Sequence, residues 1–231
     1  MNIGIIGAGH IGGSLTRRLS AVGHKVFIAN SRGPASLAEL ARETGATAVT
    51  AHDAARSGDI VIVTIPERKI PELPKDLFSG VDRAVVVVDT GNYYPRDRDG
   101  RIKAIEDGLT ESGWVESQLG RQVLKAFNNI NWRSILNDGK PAGAPGRIAL
   151  PVAGDDSAAK DRIIELFDDL GFDGVDAGGL DQSWRQQPST PVYGTNLDAD
   201  GVRQALAAAS PVRKPEWFAT SASPGTIDNP A

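Results

Sequence analysis

The chain has 231 residues, 40% hydrophobic and 23% charged, enough for one large globular domain or a domain with a small appendage. Its 25 basic and 29 acidic residues leave a net charge of −4 with neither sign in blocks, which gives no electrostatic footprint for nucleic acid or an anionic membrane surface. Cysteine is absent, so disulfides, thiolate nucleophiles and cysteine-ligated metals are excluded.

Taken in chain order, the apolar run Ile3-Gly4-Ile5-Ile6 predicts a buried strand beginning at Asn2, which leaves no room for a signal peptide. A helix follows with Ile11, Leu15, Leu19 and Val22 on one face and Gly23 at its C-terminus. Lys25–Ala29 reads as the second strand, and a helix opens at Pro34, carries Leu37, Leu40 and Ala41 inward and ends at Gly45. Strands are expected at Thr47–Val49, Asp59–Ile65, Ala84–Asp89 and Gln122–Phe127. The longest apolar runs, Ile60–Ile65 and Ala84–Val88, are too short to span a bilayer, and a cytoplasmic location is expected.

Alternating strand and helix patterns from Ile3 to about Phe127 predict a Rossmann-type, doubly wound parallel sheet. Beyond it, Asn137–Arg147 is a Gly/Pro-rich loop expected to be exposed and mobile. Ile148–Ala153 reads as a strand, Ser157–Leu170 as an amphipathic helix, Phe172–Ala177 as a returning strand and Asp198–Ala209 as a last helix. This pattern divides the chain into a dinucleotide-binding domain, residues 1–133, and a small C-terminal α+β domain, residues 134–231. Its tail from Thr220 to Ala231 has the composition of a disordered end.

The chemistry starts at Gly7-Ala8-Gly9-His10-Ile11-Gly12, a G-x-G-x-x-G element that follows a predicted strand and opens a predicted helix. In that context Gly7 permits the tight turn, Gly9 admits a pyrophosphate to the backbone, and Gly12 lets the helix pack on the strand. The N–H groups of His10 and Ile11 then face the phosphates with the positive end of the helix dipole. The second strand ends in Asn30-Ser31-Arg32, where an NAD-binding protein places a carboxylate for the ribose 2′-hydroxyl. With no carboxylate to repel it, a 2′-phosphate can meet the Arg32 guanidinium and the Ser31 hydroxyl, which predicts NADP(H) over NAD(H).

Ligands in such sheets sit beyond the carboxyl ends of the strands. Thr64-Ile65-Pro66, Thr90-Gly91-Asn92-Tyr93-Tyr94 and Asn128-Asn129-Ile130 fall at three such ends, and their amides and hydroxyls suit a neutral pocket around a nicotinamide ring. The cofactor-contacting set drawn from these segments is Thr64, Ile65, Pro66, Gly91, Asn92 and Asn128.

Other candidates fail. His10, His24 and His52 lack metal-ligand spacing, and no metal site is expected. Asp155-Asp156 reads as helix-capping charge, Asp168-Asp169 as a solvated helix face, and Lys125 as a buried base or the partner of a buried acid. No side chain is assigned a catalytic role.

Several segments together resemble the coenzyme F420-dependent NADP oxidoreductase family. They are Gly7–Ser14, Asn30-Ser31-Arg32, Val88–Tyr94, Lys125–Asn128, Gly154-Asp155-Asp156 to Gly171-Phe172, and Asp176–Leu180. The N-terminal part of this pattern is shared with β-hydroxyacid dehydrogenases, pyrroline-carboxylate reductases and the reductase domains of membrane metalloreductases.

The resemblance implies a homodimer that moves a hydride between the nicotinamide C4 and C5 of a deazaflavin lying between two domains, with little side-chain acid–base chemistry. Another flavin or a small carbonyl or imine compound remains open as the second substrate, as does a non-catalytic NADP(H) sensor. Trp184 and Tyr193, in a segment that departs from the family pattern, suit either stacking on a flat ring or core packing.

Overall fold

The structure, a computed structural model, describes residues 1–224. Six parallel strands form the main sheet: β1 (Asn2–Ile6), β2 (Lys25–Ala29), β3 (Thr47–Ala48), β4 (Ile60–Val63), β5 (Val86–Asp89) and β6 (Leu124–Lys125), in the order β3-β2-β1-β4-β5-β6. Helices cover both faces, so the strand sequences run apolar without alternation. Ile3, Ile5, Ile60 and Ile62 pack on one face, while Ile6, Val61 and Val63 pack on the other.

Helix α1 (His10–Ala21) lies on the first face, and α3 (Ala51–Ser57) on the second. The segment from Pro34 begins as a 3-10 turn to Leu37 and becomes α2 (Ala38–Thr44), closed by Gly45 in the left-handed conformation. Helices α4 (Lys103–Glu106), α5 (Glu111–Leu119) and α6 (Trp132–Asn137) complete the first half.

A second, two-stranded parallel sheet pairs β7 (Ala149–Val152) with β8 (Asp173–Asp176) across α7 (Ser157–Leu170), and α8 (Ala199–Ala207) packs on it. An antiparallel bridge joins Lys125 of β6 to Ala153, just past β7. Ile148, Leu150, Val152, Phe167 and Phe172 share one buried cluster with Ile3, Leu15 and Val88, so the two sheets are held by a continuous core.

Three strands are shorter than their apolar runs. The regular ladders cover only part of 59–65, 84–89 and 122–127, although Asp59, Thr64 and Ala126 still donate backbone hydrogen bonds to Asn2 O, Ile6 O and Asp89 O. The sixth strand stops at Lys125, and Phe127 adopts a left-handed backbone, φ +61°, that costs a non-glycine residue about 1–2 kcal/mol. Burial of its ring, edge-on to Phe167 at 4.9 Å, offsets that cost.

Val22 does not join the inward face of α1; the helix ends at Ala21 and Val22 is exposed. The loop 137–147 is largely exposed but tied down at both ends. Lys140 N donates to Gly171 O, and the buried Arg147 pairs with Asp168 and Asp173 at 2.6 Å each. Asp168 and Asp169 are exposed, yet each takes a partner, Arg147 and His24 respectively. Thr220–Ser223 form a hydrogen-bonded turn, and the rest of the tail predicted to be disordered lies outside the described residues from 225 on. Among the described residues no helix is long and apolar enough to cross a membrane, and no group of His, Asp or Glu could hold a metal ion.

Candidate active site

The carboxyl ends of β1, β4, β5 and β6 open into one cleft of about 440 Å³. Of the residues singled out in the sequence, Gly9, His10, Ile11, Thr64, Ile65, Pro66, Gly91, Asn92 and Asn128 line it together. Gly7 and Gly12 build the turn beside it. Asn30, Ser31 and Arg32 lie outside the cleft, at the end of β2.

The three motif glycines separate by what they do. Gly7 sits at φ +116°, and a Cβ there would lie 2.1 Å from Thr64 O; a Cβ on Gly12 would lie 1.9 Å from Gly7 O. The fold itself requires both. Gly9 has φ −77°, open to any residue, and a Cβ on it would meet nothing within 4 Å. No packing demand explains a glycine there, and the space before it is the kind a ligand phosphate fills.

Gly9 is also the N-cap of α1, which has no side-chain cap and no acid in its first turn. The N-termini of α3, α5, α6, α7 and α8 are instead capped by Thr50, Thr110, Asn131, Asp156 and Asp198. Helix α1 therefore leaves its N–H groups and the positive end of its dipole for an anion.

Beyond β2, Asn30 Oδ1 accepts from Arg32 N at 2.9 Å, and Asn30 Nδ2 donates to Ser36 Oγ at 2.9 Å. Asn30 thus shapes the turn that presents Ser31 and Arg32, both exposed. Asp156 caps α7 through its bond from Ala159 N, as the sequence suggests, and Asp155 Oδ1 accepts from Leu180 N.

At the far end of the cleft, Asn92 and Asn128 clamp each other. Asn92 Nδ2 donates to Asn128 O at 2.9 Å, and Asn128 Nδ2 donates to Asn92 Oδ1 at 3.0 Å and to Gln186 O at 2.6 Å. Gln186 Nε2 in turn donates to Asn128 Oδ1. These amides spend much of their hydrogen-bonding capacity joining two strand ends and so fix the shape of the wall.

Below the Gly91 peptide lies a buried set of charges. Lys125 Nζ donates to Gly91 O at 2.9 Å and stands 3.8 Å from Asp89 and 3.6 Å from Glu111. Asp89 Oδ1 accepts from Gly91 N at 2.8 Å, and Oδ2 accepts from Ser112 at 2.6 Å. Glu67, fully buried beside Gly91, has no hydrogen-bond partner on either oxygen. Burial and the neighbouring Asp89 charge push its pKa well up, so Glu67 is held as the neutral acid. Burial also raises Glu111, against the pull of Lys125 and Arg213.

Several cleft residues escaped the sequence reading. Trp132, on α6, stacks on His10 with ring centroids 5.0 Å apart, and the Arg133 guanidinium lies 4.7 Å from the indole centroid. Arg98 lines the wall beside Tyr94. Tyr193 lines the cleft, whereas Trp184 faces a separate cavity, with Arg185 over its ring. Tyr93 points away, its hydroxyl within 3.0 Å of both Gly100 O and Glu106 Oε1.

Residues 2–93 match the family described as NADP oxidoreductase, coenzyme F420-dependent. A crystal structure of the hypothetical protein SMa0349 from Sinorhizobium meliloti is 33% identical, with a TM-score of 0.68 over 85% of this chain and 95% of that one. Over residues 2–93 the chain belongs to the F420-dependent NADP oxidoreductase family.

Within that family's fold, a protein from Arthrobacter sp. FB24 provisionally named an F420-dependent NADP reductase superimposes with a TM-score of 0.61. It is 21% identical, over 77% of this chain and 84% of its own. The Escherichia coli (strain K12) protein YjhV is 48% identical over 59 residues, 26% of this chain; the match spans 43% of that relative. The family match covers β1 to β5 and includes Gly7–Gly12, Asn30–Arg32, Thr64–Pro66 and Gly91-Asn92; Asn128, Trp132 and Tyr193 lie beyond it.

Proposed function

We propose that this protein is an NADP-dependent oxidoreductase that passes a hydride between NADP(H) and a deazaflavin such as coenzyme F420, or a similar flavin-type acceptor. The observation that carries the reading is Gly9, a glycine that neither backbone angle nor packing requires, set before an uncapped helix at the mouth of the cleft. Gly7, Gly9, His10, Ile11 and Gly12 would hold the pyrophosphate, Ser31 and Arg32 the 2′-phosphate, and Asn30 their turn. Thr64, Ile65, Pro66, Gly91, Asn92 and Asn128 would surround the nicotinamide. Bound NADPH supplies the hydride from its nicotinamide C4.

The open cleft beyond the strand ends leaves room for a second ring and favours an enzyme over a non-catalytic NADP(H) sensor, whose nicotinamide end would be closed. Reductases of small carbonyl or imine compounds are the other reading. They use a long helical second domain, and the C-terminal half here is a two-stranded sheet with two helices.

A cytoplasmic homodimer and a division into residues 1–133 and 134–231 belong to the same proposal, with sedimentation velocity as the check on assembly. The deciding experiment titrates NADPH and NADH, then mixes NADPH with F420, riboflavin and a cyclic imine in turn. Bleaching of F420 is expected; turnover of the imine alone would move the activity to the second reading.

A further inference from the structure

We propose that Tyr94 and Tyr193 form the proton-delivering pair of this cleft, protonating a nitrogen of the acceptor as its carbon receives hydride; the proposal rests on the oxidoreductase reading above. The two residues come from distant parts of the chain, one after β5 and one before α8, and their hydroxyls share a hydrogen bond at the cleft wall. One hydroxyl proton lies between the oxygens, which leaves the second free to point at a ligand.

Few groups lining the cleft carry an ionisable proton. Arg98 is a fixed charge over the Tyr94 ring, and the asparagine amides carry none to give. His10 belongs to the glycine turn and stacks on Trp132. Tyr94 follows the carboxyl end of β5, and Tyr193 joins it at the lining of the same cleft. Tyr94 is fixed there by Arg98, 4.8 Å from its ring centroid, and by Trp217 at 6.0 Å.

The step balances as follows. The acceptor carbon gains a C–H bond with the electron pair of the nicotinamide C4–H bond, which breaks. The acceptor's π electrons shift to the conjugated nitrogen, N1 of a deazaflavin or the nitrogen of an imine. That nitrogen takes the phenolic proton, an O–H bond breaking as an N–H bond forms. The phenolate is stabilised by the partner hydroxyl and the Arg98 charge, and recovers a proton from water at the cleft mouth. NADPH is oxidised, the acceptor is reduced, and one proton is drawn from solvent.

The charged groups near the pair are Arg98 above the Tyr94 ring and the buried Glu111, with Lys125 and Arg213 against that carboxyl. Burial and the Tyr193 hydroxyl raise the Tyr94 pKa, so the phenol stays loaded with its proton through neutral pH.

The test uses Tyr94→Phe, Tyr193→Phe and the double variant with F420 and with 1-pyrroline. NADPH affinity should stay within about twofold, measured by nucleotide fluorescence. Affinity of the NADP⁺-loaded protein for oxidised F420 should fall about three- to tenfold with loss of one hydrogen bond. Turnover should fall about 10²–10⁴-fold in the double variant, the usual contribution of a general acid. Its rate should also drop tenfold per pH unit from pH 6 to 8, as hydronium takes over, while the native rate stays flat.

Variants that bind and turn over both acceptors like the native protein, with the same pH profile, would overturn the proposal and leave the oxidoreductase reading intact. So would a uniform loss of rate without the new pH slope, which marks a purely structural clasp. If the variants fail to fold, a native single turnover with no proton uptake in an indicator assay overturns it for either acceptor. Failure of native protein to bind NADPH would instead remove the underlying reading.

Discussion

Lys125 Nζ donates to the carbonyl of Gly91 at 2.9 Å, while Asp89 takes the N–H of the same glycine at 2.8 Å. One glycine lining the cleft is therefore held at its N–H and at its C=O by opposite, buried charges. The ion pairs below it matter less as a source of stability than as a fixture, because burying charges costs roughly what their attraction returns.

Lys125→Met should show the cost of breaking that fixture. It leaves Asp89 without its counterion, Glu111 with Arg213 alone and Gly91 O unpaired, and the loss should be about 3–5 kcal/mol in urea unfolding. A loss below about 1 kcal/mol would mean that the carboxyls take up protons freely and that the lysine is not their counterion.

Glu67 gives a pH signature. Its pKa is raised in the folded protein, so its favourable contribution is complete in acid, below the ordinary glutamate value, and is lost as pH rises toward the raised value. Glu67→Gln should therefore leave the melting temperature near pH 4 almost unchanged and raise it at pH 8. A gain of about 1 kcal/mol would appear as about 2–4 °C in a chain of this length. Equal shifts at both pH values would contradict a buried neutral acid.

The motif glycines should part company when substituted. Gly12→Ala drives a methyl into the Gly7 carbonyl and should destabilise the fold, as seen in thermal melts. Gly9→Ala should fold normally, since its Cβ meets only open space, yet weaken NADPH binding by tenfold or more. Unchanged affinity in Gly9→Ala would remove the main support for a phosphate at this turn.

Arg32→Ala should weaken NADPH binding by about ten- to a hundredfold, the worth of a charge-assisted hydrogen bond, and leave NADH almost untouched. Parallel losses for both dinucleotides in calorimetry would reassign the residue to a general role at the β2 end.

Much of the architecture could be read directly because buried parallel strands and amphipathic helices leave local signatures. Helix α7 spans the predicted residues 157–170 with Asp156 as its cap. Short helices were harder. Six-residue α6 carries too few turns to show a period, so its Trp132, which meets His10 across the cleft, gave no signal.

The buried acids were equally hidden. Glu67 sits in Pro66-Glu67-Arg68-Lys69, a stretch that looks like a solvated loop, and only the tertiary fold sinks it beneath Gly91. The meeting of Tyr94 and Tyr193 likewise depends on contacts 99 residues apart.

The core that runs unbroken from Ile3 and Leu15 to Leu150 and Phe167 bears on how reactants arrive. Swinging the second sheet away from the first would expose those side chains to water, a penalty of many kcal/mol at about 25 cal/mol per Å². Docking should therefore proceed without a slow jaw-like motion, into walls already set, and stopped-flow traces of nucleotide association should be single exponentials whose rates climb linearly with concentration.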